Sequence, residues 1–508
     1  MPVVQQGSIN TTALIVPDLY VQIVPPQVQL LNGVPTNILG VVGTAQWGPV
    51  NSPVILGSMQ DYALQFGALQ NRKYDMGTIV ATAVLQGAAN FRGVRVTDGT
   101  DVAASVIILT NCLTLTAKYT GTLGNTIVAS TAPGSAANTS RITIGMPGRA
   151  PEVFDNIPGT GNALWVNIAA AINAGQNGLR GKSDLVVATA GVGVTAVAAA
   201  SYTLASGTDG VTTITGATLI GLDTGTRTSM YALRGTGASI GVLADCDTSS
   251  TWTTQVAFGF SEGIYMIGVG PAGDTIANAV STKASAGIDA YPFKLLHGDW
   301  ILWADPVAGI TRLVSPQGFS AGRLANLSPE QSSLNKPLFG IVGTQRSQVN
   351  QVYGAAELQA LFQANIDLIC NPIPAGNMFG ARLGHNSSTN PVISGDNYTR
   401  MTNYIAYTLN AGMGRVVGKL QSIQPSDPVR REVSATLAAF LQAMVDEAMI
   451  DEYSVICDLT NNTPNRIALG YLQADVKVRY LSVIEKFLIN MEGGQSVQVA
   501  RQQTSAAA

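Results

Sequence analysis

Charge is what this sequence has least of. Only 12% of its 508 residues are Asp, Glu, Lys or Arg, about half the usual quarter. The 28 basic side chains nearly cancel the 31 acidic ones, leaving a net charge of −3. A chain so balanced has no positive surplus with which to displace counterions from a nucleic acid or to hold an anionic lipid surface. Histidine is scarcer still. His297 and His385 are the only two, and neither stands at ligand spacing from another suitable side chain, which sets aside a His-rich zinc or iron site. The four cysteines, Cys112, Cys246, Cys370 and Cys457, are widely separated with no CxxC pair, so they read as buried free thiols rather than as a disulfide framework. No run approaches the roughly 18 uninterrupted apolar residues of a membrane span. The opening MPVVQQGSINTTALIV lacks the basic and apolar regions of an export signal, so the chain is expected to be cytosolic when made.

What takes the place of charge is Gly, Thr, Ser, Ala and Asn, with 54 glycines and 23 prolines. That composition is β-rich and interface-rich. At roughly 150 residues per domain the length allows about three to four domains. Residues 1–26 end in DLYVQIVPP, a single alternating stretch stopped by Pro25 and Pro26 with no hairpin partner nearby. Residues 38–97 read as strand, helix, helix, strand, with helices over 58–66 and 75–86. From 101 to 212 the texture turns to Thr, Val, Gly and Ala with turns such as PGS, GTG and SGTDG, interrupted by one helical run at 163–174. This predicts an inserted β-rich domain.

Alternation of helix and strand resumes after 213: helices near 226–233, 274–286 and 355–363, with strands in GIYMIGVG, DWILWAD and IDLICNP. Such alternation predicts a mostly parallel sheet with helices packed on it. A helix over 397–411 precedes the strongest helical signal, residues 428–449. There Pro428 suits the first turn, and Val433, Leu437, Phe440, Leu441, Met444 and Ala448 form one apolar stripe. The expected fold class is α/β (mixed α+β) and multi-domain, an α/β core with an inserted β-rich domain and extended terminal strands.

Three motifs invite an enzyme reading. GFSEG at 259–263 and GFSAG at 318–322 both match the GxSxG elbow of serine hydrolases, which requires a strand before the serine and a helix directly after it. The first is followed by a strand. The second reads as a plain turn after Pro316, although His385 and Asp367 lie downstream of Ser320 as a triad would need. GVGPAG at 268–273 satisfies the dinucleotide fingerprint. Pro271 removes a donor there, however, and Asp274 places a carboxylate where a pyrophosphate would sit. GLRGKS at 178–183 lacks the first glycine of a P-loop, because Gln176 stands in its place. No catalytic, cofactor-binding or metal-ligating set emerges.

Residues 39–67, LGVVGTAQWGPVNSPVILGSMQDYALQFG, resemble the opening signature of contractile tail sheath proteins of long-tailed bacteriophages. Gly43, Gly48, Pro49, Pro53, Phe66 and Gly67 all fall where that pattern has them. AKYTGTLGN, SGTDG, HGDWILWADP, SPQGFSAGRLAN with NKPLFGIVG, and YSVICDLTNNTPNRIALGYLQADVKVRY follow in order, so the resemblance spans about 40–490. GFSAG takes the place of a turn ending in Ala-Gly. The PLFGIVG stretch lacks the tryptophan and second alanine that many sheaths carry before it.

The resemblance implies a structural function without cofactor or fuel. Many copies polymerise as helically stacked rings around a tail tube, between baseplate and tail terminator or neck. They contract from a metastable extended state and drive the tube through the host envelope for genome delivery, with no nucleic-acid binding and no membrane insertion. Assembly takes place in the host cytoplasm and the product is the virion tail. Sheaths of phage-like bacteriocins and related injection systems share the pattern and form the alternative, with a GxSxG hydrolase as the remote one. The expected division is an N-terminal arm at 1–26, sheath core at 27–100 and 213–395, an inserted outer domain at 101–212, a C-terminal sheath domain at 396–492 and a C-terminal arm at 493–508.

Bodies that slide past one another can stay tethered by strands donated to a neighbour's sheet. The expected donors are Tyr20, Val21, Gln22, Ile23 and Val24 at one end. At the other they are Ser496, Val497, Gln498, Val499 and Ala500, beyond Gly493 and Gly494. Tyr453, Val455, Cys457, Val476, Val478 and Tyr480 are expected in the receiving sheet. The helix at 428–449 is expected to face the tube with Arg430 and Arg431 available at its start.

Overall fold

The computed structural model describes residues 31–491 throughout, and before them only the backbone of Val3–Val4 and Val21–Gln22, which pair in parallel. A six-stranded sheet lies at the centre. Its order is Phe293–Leu296, Tyr265–Val269, Ile240–Leu243, Leu39–Gly43, Phe91–Arg95 and Pro53–Leu56. All neighbours run parallel except the last pair, where Pro53–Leu56 is antiparallel to Phe91–Arg95. That edge strand has no counterpart in the sequence reading; a proline can begin it because at an edge its missing N–H is not needed.

LGVVG, IGVL and YMIGV are buried at every position, the pattern of parallel strands covered on both faces. Successive side chains point to opposite faces. Leu39, Val41, Ile240, Val242 and Ile267 meet the helices Met76–Val84 and Gln317–Asn326. Val42, Leu243, Met266 and Phe293 meet Trp252–Glu262, Ile276–Ser285 and Ala355–Gln363. Asp75 caps Met76–Val84 by accepting from the Thr78 amide at 2.8 Å, and Thr275 caps Ile276–Ser285 through the Asn278 amide, as short polar side chains at this position do. The helix expected near 226–233 is a short 3₁₀ turn, Ser229–Leu233, and the strand expected across 366–372 narrows to Ile369–Cys370.

Residues 105–203 build two antiparallel sheets of their own. Val186–Ala190, Leu113–Ala117 and Ser105–Ile108 form one; Glu152–Pro158, Thr139–Gly145, Val128–Pro133 and Ala200–Thr203 form the other. The helix Gly161–Ala174 packs on both. Among the described residues this apolar cluster, which spans 104–204, takes a single buried member from outside that range, Trp47, from the loop after the central strand Leu39–Gly43. The joint is also polar. Arg95, on the central sheet, donates to the carbonyls of Gly48 (2.9 Å), Thr120 (2.7 Å) and Asp209 (3.3 Å). The Asp209 carboxylate accepts from the Thr122 amide and hydroxyl and pairs with Arg72 at 2.6 Å.

The C-terminal module starts with the long helix Asp396–Met413, continues through Pro428–Asp446, and ends in the antiparallel strands Ile450–Ile456 and Asp475–Tyr480. Arg400 fastens the long helix to the core by donating to the carbonyls of Leu327 and Ser328 at 2.7 and 2.8 Å. No described helix is long and apolar enough to cross a membrane. All four cysteines are free and buried, and burial pushes the Cys370 thiol up to about 11.

Candidate assembly site

Ser261 lies inside the helix Trp252–Glu262, its hydroxyl donating to the Phe258 carbonyl at 3.1 Å. GFSAG is not the turn expected from its glycines. It lies within the buried helix Gln317–Asn326, where glycine serves close packing: a Cβ on Gly318 would meet Thr82 Oγ1 at 2.0 Å, and one on Gly322 would meet Ala83 Cα at 2.5 Å. Ser320 is 2% exposed with its hydroxyl unpartnered, while His385 is engaged elsewhere, with Glu485 and Asn365. Ser320→Ala is therefore expected to be neutral or slightly stabilising, because it removes a buried unsatisfied hydroxyl. Gly322→Leu should cost about 1–3 kcal/mol by overpacking the helix pair. Thermal unfolding of the two variants checks the contrast.

The C-terminal module carries the remaining candidates. Tyr453, Val455, Val476, Val478 and Tyr480 occupy one face of the two-stranded sheet and pack toward Phe440, Leu441 and Met444. They are only half-buried. Burial raises the Tyr480 phenol pKa, and its oxygen is 3.1 Å from the Thr402 hydroxyl. Among the described residues both outer edges of this pair lack a neighbouring strand. Two strands alone are marginal, and a third or fourth completes such a sheet. Cys457 falls one residue past the strand end, not within it. It is buried against Val433 and Leu437, because the chain turns inward there to start the loop at 457–463.

Arg430 and Arg431 part company. Arg431 is exposed. Arg430 is 2% exposed, and its guanidinium donates to the carbonyls of Ser422 (2.7 Å) and Gln424, so the expectation that both stay available is corrected. The cause is tertiary: Asp427 caps the helix through the Arg430 amide at 2.9 Å, the preceding loop folds back over that cap, and Arg430 satisfies the loop's carbonyls. Tyr20, Ile23 and Val24, and the stretch from Ser496 to Ala500, lie outside the described residues; Val21 and Gln22 are described by backbone alone.

Two surfaces escaped the sequence reading. Beyond Tyr480 the chain runs over the core, held where Asn397 donates to the Leu481 carbonyl at 3.2 Å and where His385 Nε2 meets Glu485 at 2.7 Å. It then exposes Ile484, Phe487, Leu488, Ile489 and Met491, each 70% or more. The loop before the helix Pro428–Asp446 exposes Val417, Leu420 and Ile423. The first surface was legible as an apolar run, IEKFLINM, ending two residues before Gly493. The second gave only a sparse apolar pattern.

Residues 388–493 match the model of the phage tail sheath C-terminal domain. They contain the long helix, the helix Pro428–Asp446 and the two-stranded sheet just described. Beyond that segment the likeness is structural. The sheath tail protein of Listeria innocua superposes with a TM-score of 0.60 at 12% identity, over 89% of this chain and 96% of that one. The chain has the contractile tail sheath fold. The sheath tail protein of Desulfitobacterium hafniense gives 0.56 at 14% identity, over 87% and 93%. The sheath complex of an extracellular contractile injection system, PVC, in its contracted state gives 0.54 at 11% identity, over 96% and 99%. A search of curated proteins finds no match. The mixed α/β, multi-domain class expected from the sequence is that of this sheath fold.

Proposed function

We propose that this protein is the subunit of a contractile tail sheath. Copies stack as helical rings around a tail tube, held by baseplate and terminator at the two ends, and contract from a metastable extended state to drive the tube through the host envelope. The observation that carries the reading is the two-stranded sheet of the sheath C-terminal module, half-buried on one face and, among the described residues, without a neighbouring strand at either edge. Arms from neighbouring copies complete it: Tyr20 to Val24 from one and Ser496 to Ala500 from another, with residues 484–491 as the apolar approach to the second arm. Four or five backbone hydrogen bonds per arm, at about 1 kcal/mol net each, are modest singly and accumulate when every subunit gives and receives two. Residues 101–212 form the outer domain in this arrangement. The assembled product is the virion tail, built in the host cytoplasm.

Truncation before Gly493, or removal of residues 1–25, is expected to leave a folded monomer that forms no cylinders in negative-stain electron microscopy. Cylinders of normal length from either truncation would sink the arm exchange. The tube contact falls to Arg431 and to the loop bearing Leu420, since Arg430 is consumed inside the subunit. An exposed charge gives an attraction that water and salt screen, so it can break on contraction. Arg431→Glu should change monomer stability by less than about 0.5 kcal/mol and lower the yield of extended sheath on tubes. An unchanged yield places the contact elsewhere. The sheath of a tube-injecting device other than a phage is the second reading, favoured by the near-complete overlap with the PVC sheath, and the contents of purified particles distinguish it.

A further inference from the structure

The strand Phe293–Leu296, at one edge of the central sheet, carries a lysine into the core. Lys294 is 0% exposed. Its Nζ lies 2.6 Å from Asp367 Oδ2 and 3.1 and 3.0 Å from the two oxygens of Asp396, which are themselves 1% and 0% exposed. A buried ion pair is by itself a weak source of stability. The two carboxylates are held in different ways. Asp367 Oδ1 accepts from the amides of Leu368 (2.8 Å) and Leu383 (2.9 Å), and Oδ2 from the amide of Gly384 (3.0 Å). Fixed N–H dipoles of this kind withdraw electron density from the carboxyl carbon and receive the charge that an attacking nucleophile places on its oxygen. Asp396 accepts instead from side chains that carry protons: the Tyr265 hydroxyl at 2.5 Å, the Ser333 hydroxyl and Lys294 itself. Burial lowers the Lys294 pKa, but the two carboxylates outweigh it and hold the ammonium above its ordinary value. The group therefore begins as an ion pair.

We infer that Lys294 and Asp367 condense into an intramolecular amide, with Asp396 carrying the protons. Lys294 gives one proton, by way of Asp396, to Asp367, and the freed amine attacks the carbon of the now neutral Asp367 carboxyl, so the N–C bond forms. Charge collects on oxygens already facing the three amides. The C–Oδ2 bond then breaks. The two protons lost by the nitrogen reach Oδ2 through Asp396, water leaves, and Asp396 ends ionised as it began. An ammonium and a carboxylate become one amide and one water, with no oxidant, nucleotide or metal required. The fold holds the partners in contact, which replaces a bimolecular encounter by a positioned one, and a single turnover per chain suffices. Two desolvated charges disappear, and Asp396 keeps the hydroxyls of Tyr265 and Ser333 as donors to the charge it retains. The bond ties this edge strand of the central sheet to the segment leading toward the helix Asp396–Met413.

The test is the intact mass of the purified, denatured full chain, followed by tryptic mapping. The expected mass is lower than that of the sequence by one water, and the peptides bearing Lys294 and Asp367 should be recovered as one joined species. Lys294→Arg should restore the full mass. Asp396→Asn, shown folded by circular dichroism, should also keep it. A full-mass wild-type chain with the two peptides recovered separately overturns the proposal, and so does a water loss that maps elsewhere. Joined peptides in Asp396→Asn would overturn the role given to Asp396.

Discussion

Trp47→Ala is expected to lower stability by about 3–5 kcal/mol, the range for emptying a fully buried large aromatic site. The residue belongs by sequence to the core and by packing to the outer domain. It is 0% exposed within the cluster of residues 104–204, with its ring centroid 5.4 Å from that of Tyr119 in an edge-on arrangement. A cavity there is hard to collapse, because Arg95 and Asp209 fix the walls on both sides. Burial lowers the Arg95 pKa to about 10, yet its carbonyl partners keep the side chain in place. Two readouts follow: a shift of the urea midpoint by circular dichroism, and faster proteolysis within residues 101–212. A change under about 1 kcal/mol, with unaltered cleavage, would show that the outer domain does not depend on this side chain.

The second large effect is one of pH. Asp75 bridges to Thr44, just past the strand Leu39–Gly43, and Asp245 lies just past the strand Ile240–Leu243, so both stand at the carboxyl ends of adjacent central strands. They are 0% and 5% exposed, and each leaves one carboxylate oxygen unpartnered. Burial drives Asp75 up to about 6, against the hydrogen bonds of Thr78 and Gln70. Burial likewise drives Asp245 up to about 7, opposed by the Tyr74 amide and reinforced by the charge of Asp75, with Arg312 and Lys73 nearby as the compensating cations. Both folded values lie above the ordinary carboxylate value of 3.8. The folded state therefore holds protons that the unfolded chain has released. Their contribution is complete below the unfolded pKa and is lost as pH rises through about 6 to 7. At about 1.4 kcal/mol per unit the loss between pH 5 and 8 is on the order of several kcal/mol. Asp245→Asn keeps an acceptor for the Tyr74 amide and removes the titration. Thermal scans at both pH values should show wild type losing more stability toward alkaline pH than the variant. Parallel curves would refute the assignment.

Much of the architecture was legible because it is local. The helix Pro428–Asp446 announces itself by a proline in its first turn and an apolar stripe, and the parallel strands by unbroken apolar runs between helices. What escaped was set by distant partners. SPQGFSAG looks like a turn because glycines usually mark turns, whereas here they let two helices touch. Arg430 looked available because its solvent exposure depends on a loop that returns over it. The half-buried sheet was legible as two alternating segments, Tyr453 and Val455 opposite Val478 and Val476, but that no other described strand borders it becomes visible only when those strands have been placed.

The register of the central strand has a consequence for how the chain reaches this state. Leu39 pairs with Phe91 on one side and with Ile240 on the other, so one half of its ladder closes early in synthesis and the other must wait for the outer domain to be made. Contacts so remote slow folding, since a long loop must close before they are rewarded. The intervening segment collapses on its own core, which shortens the effective loop to be closed. Until then one side of Leu39–Gly43 is an apolar, unpaired edge of the kind that recruits other chains. Nascent chains arrested between residues 100 and 240 should therefore be the most aggregation-prone species in the life of this protein, and slow translation there the least tolerated.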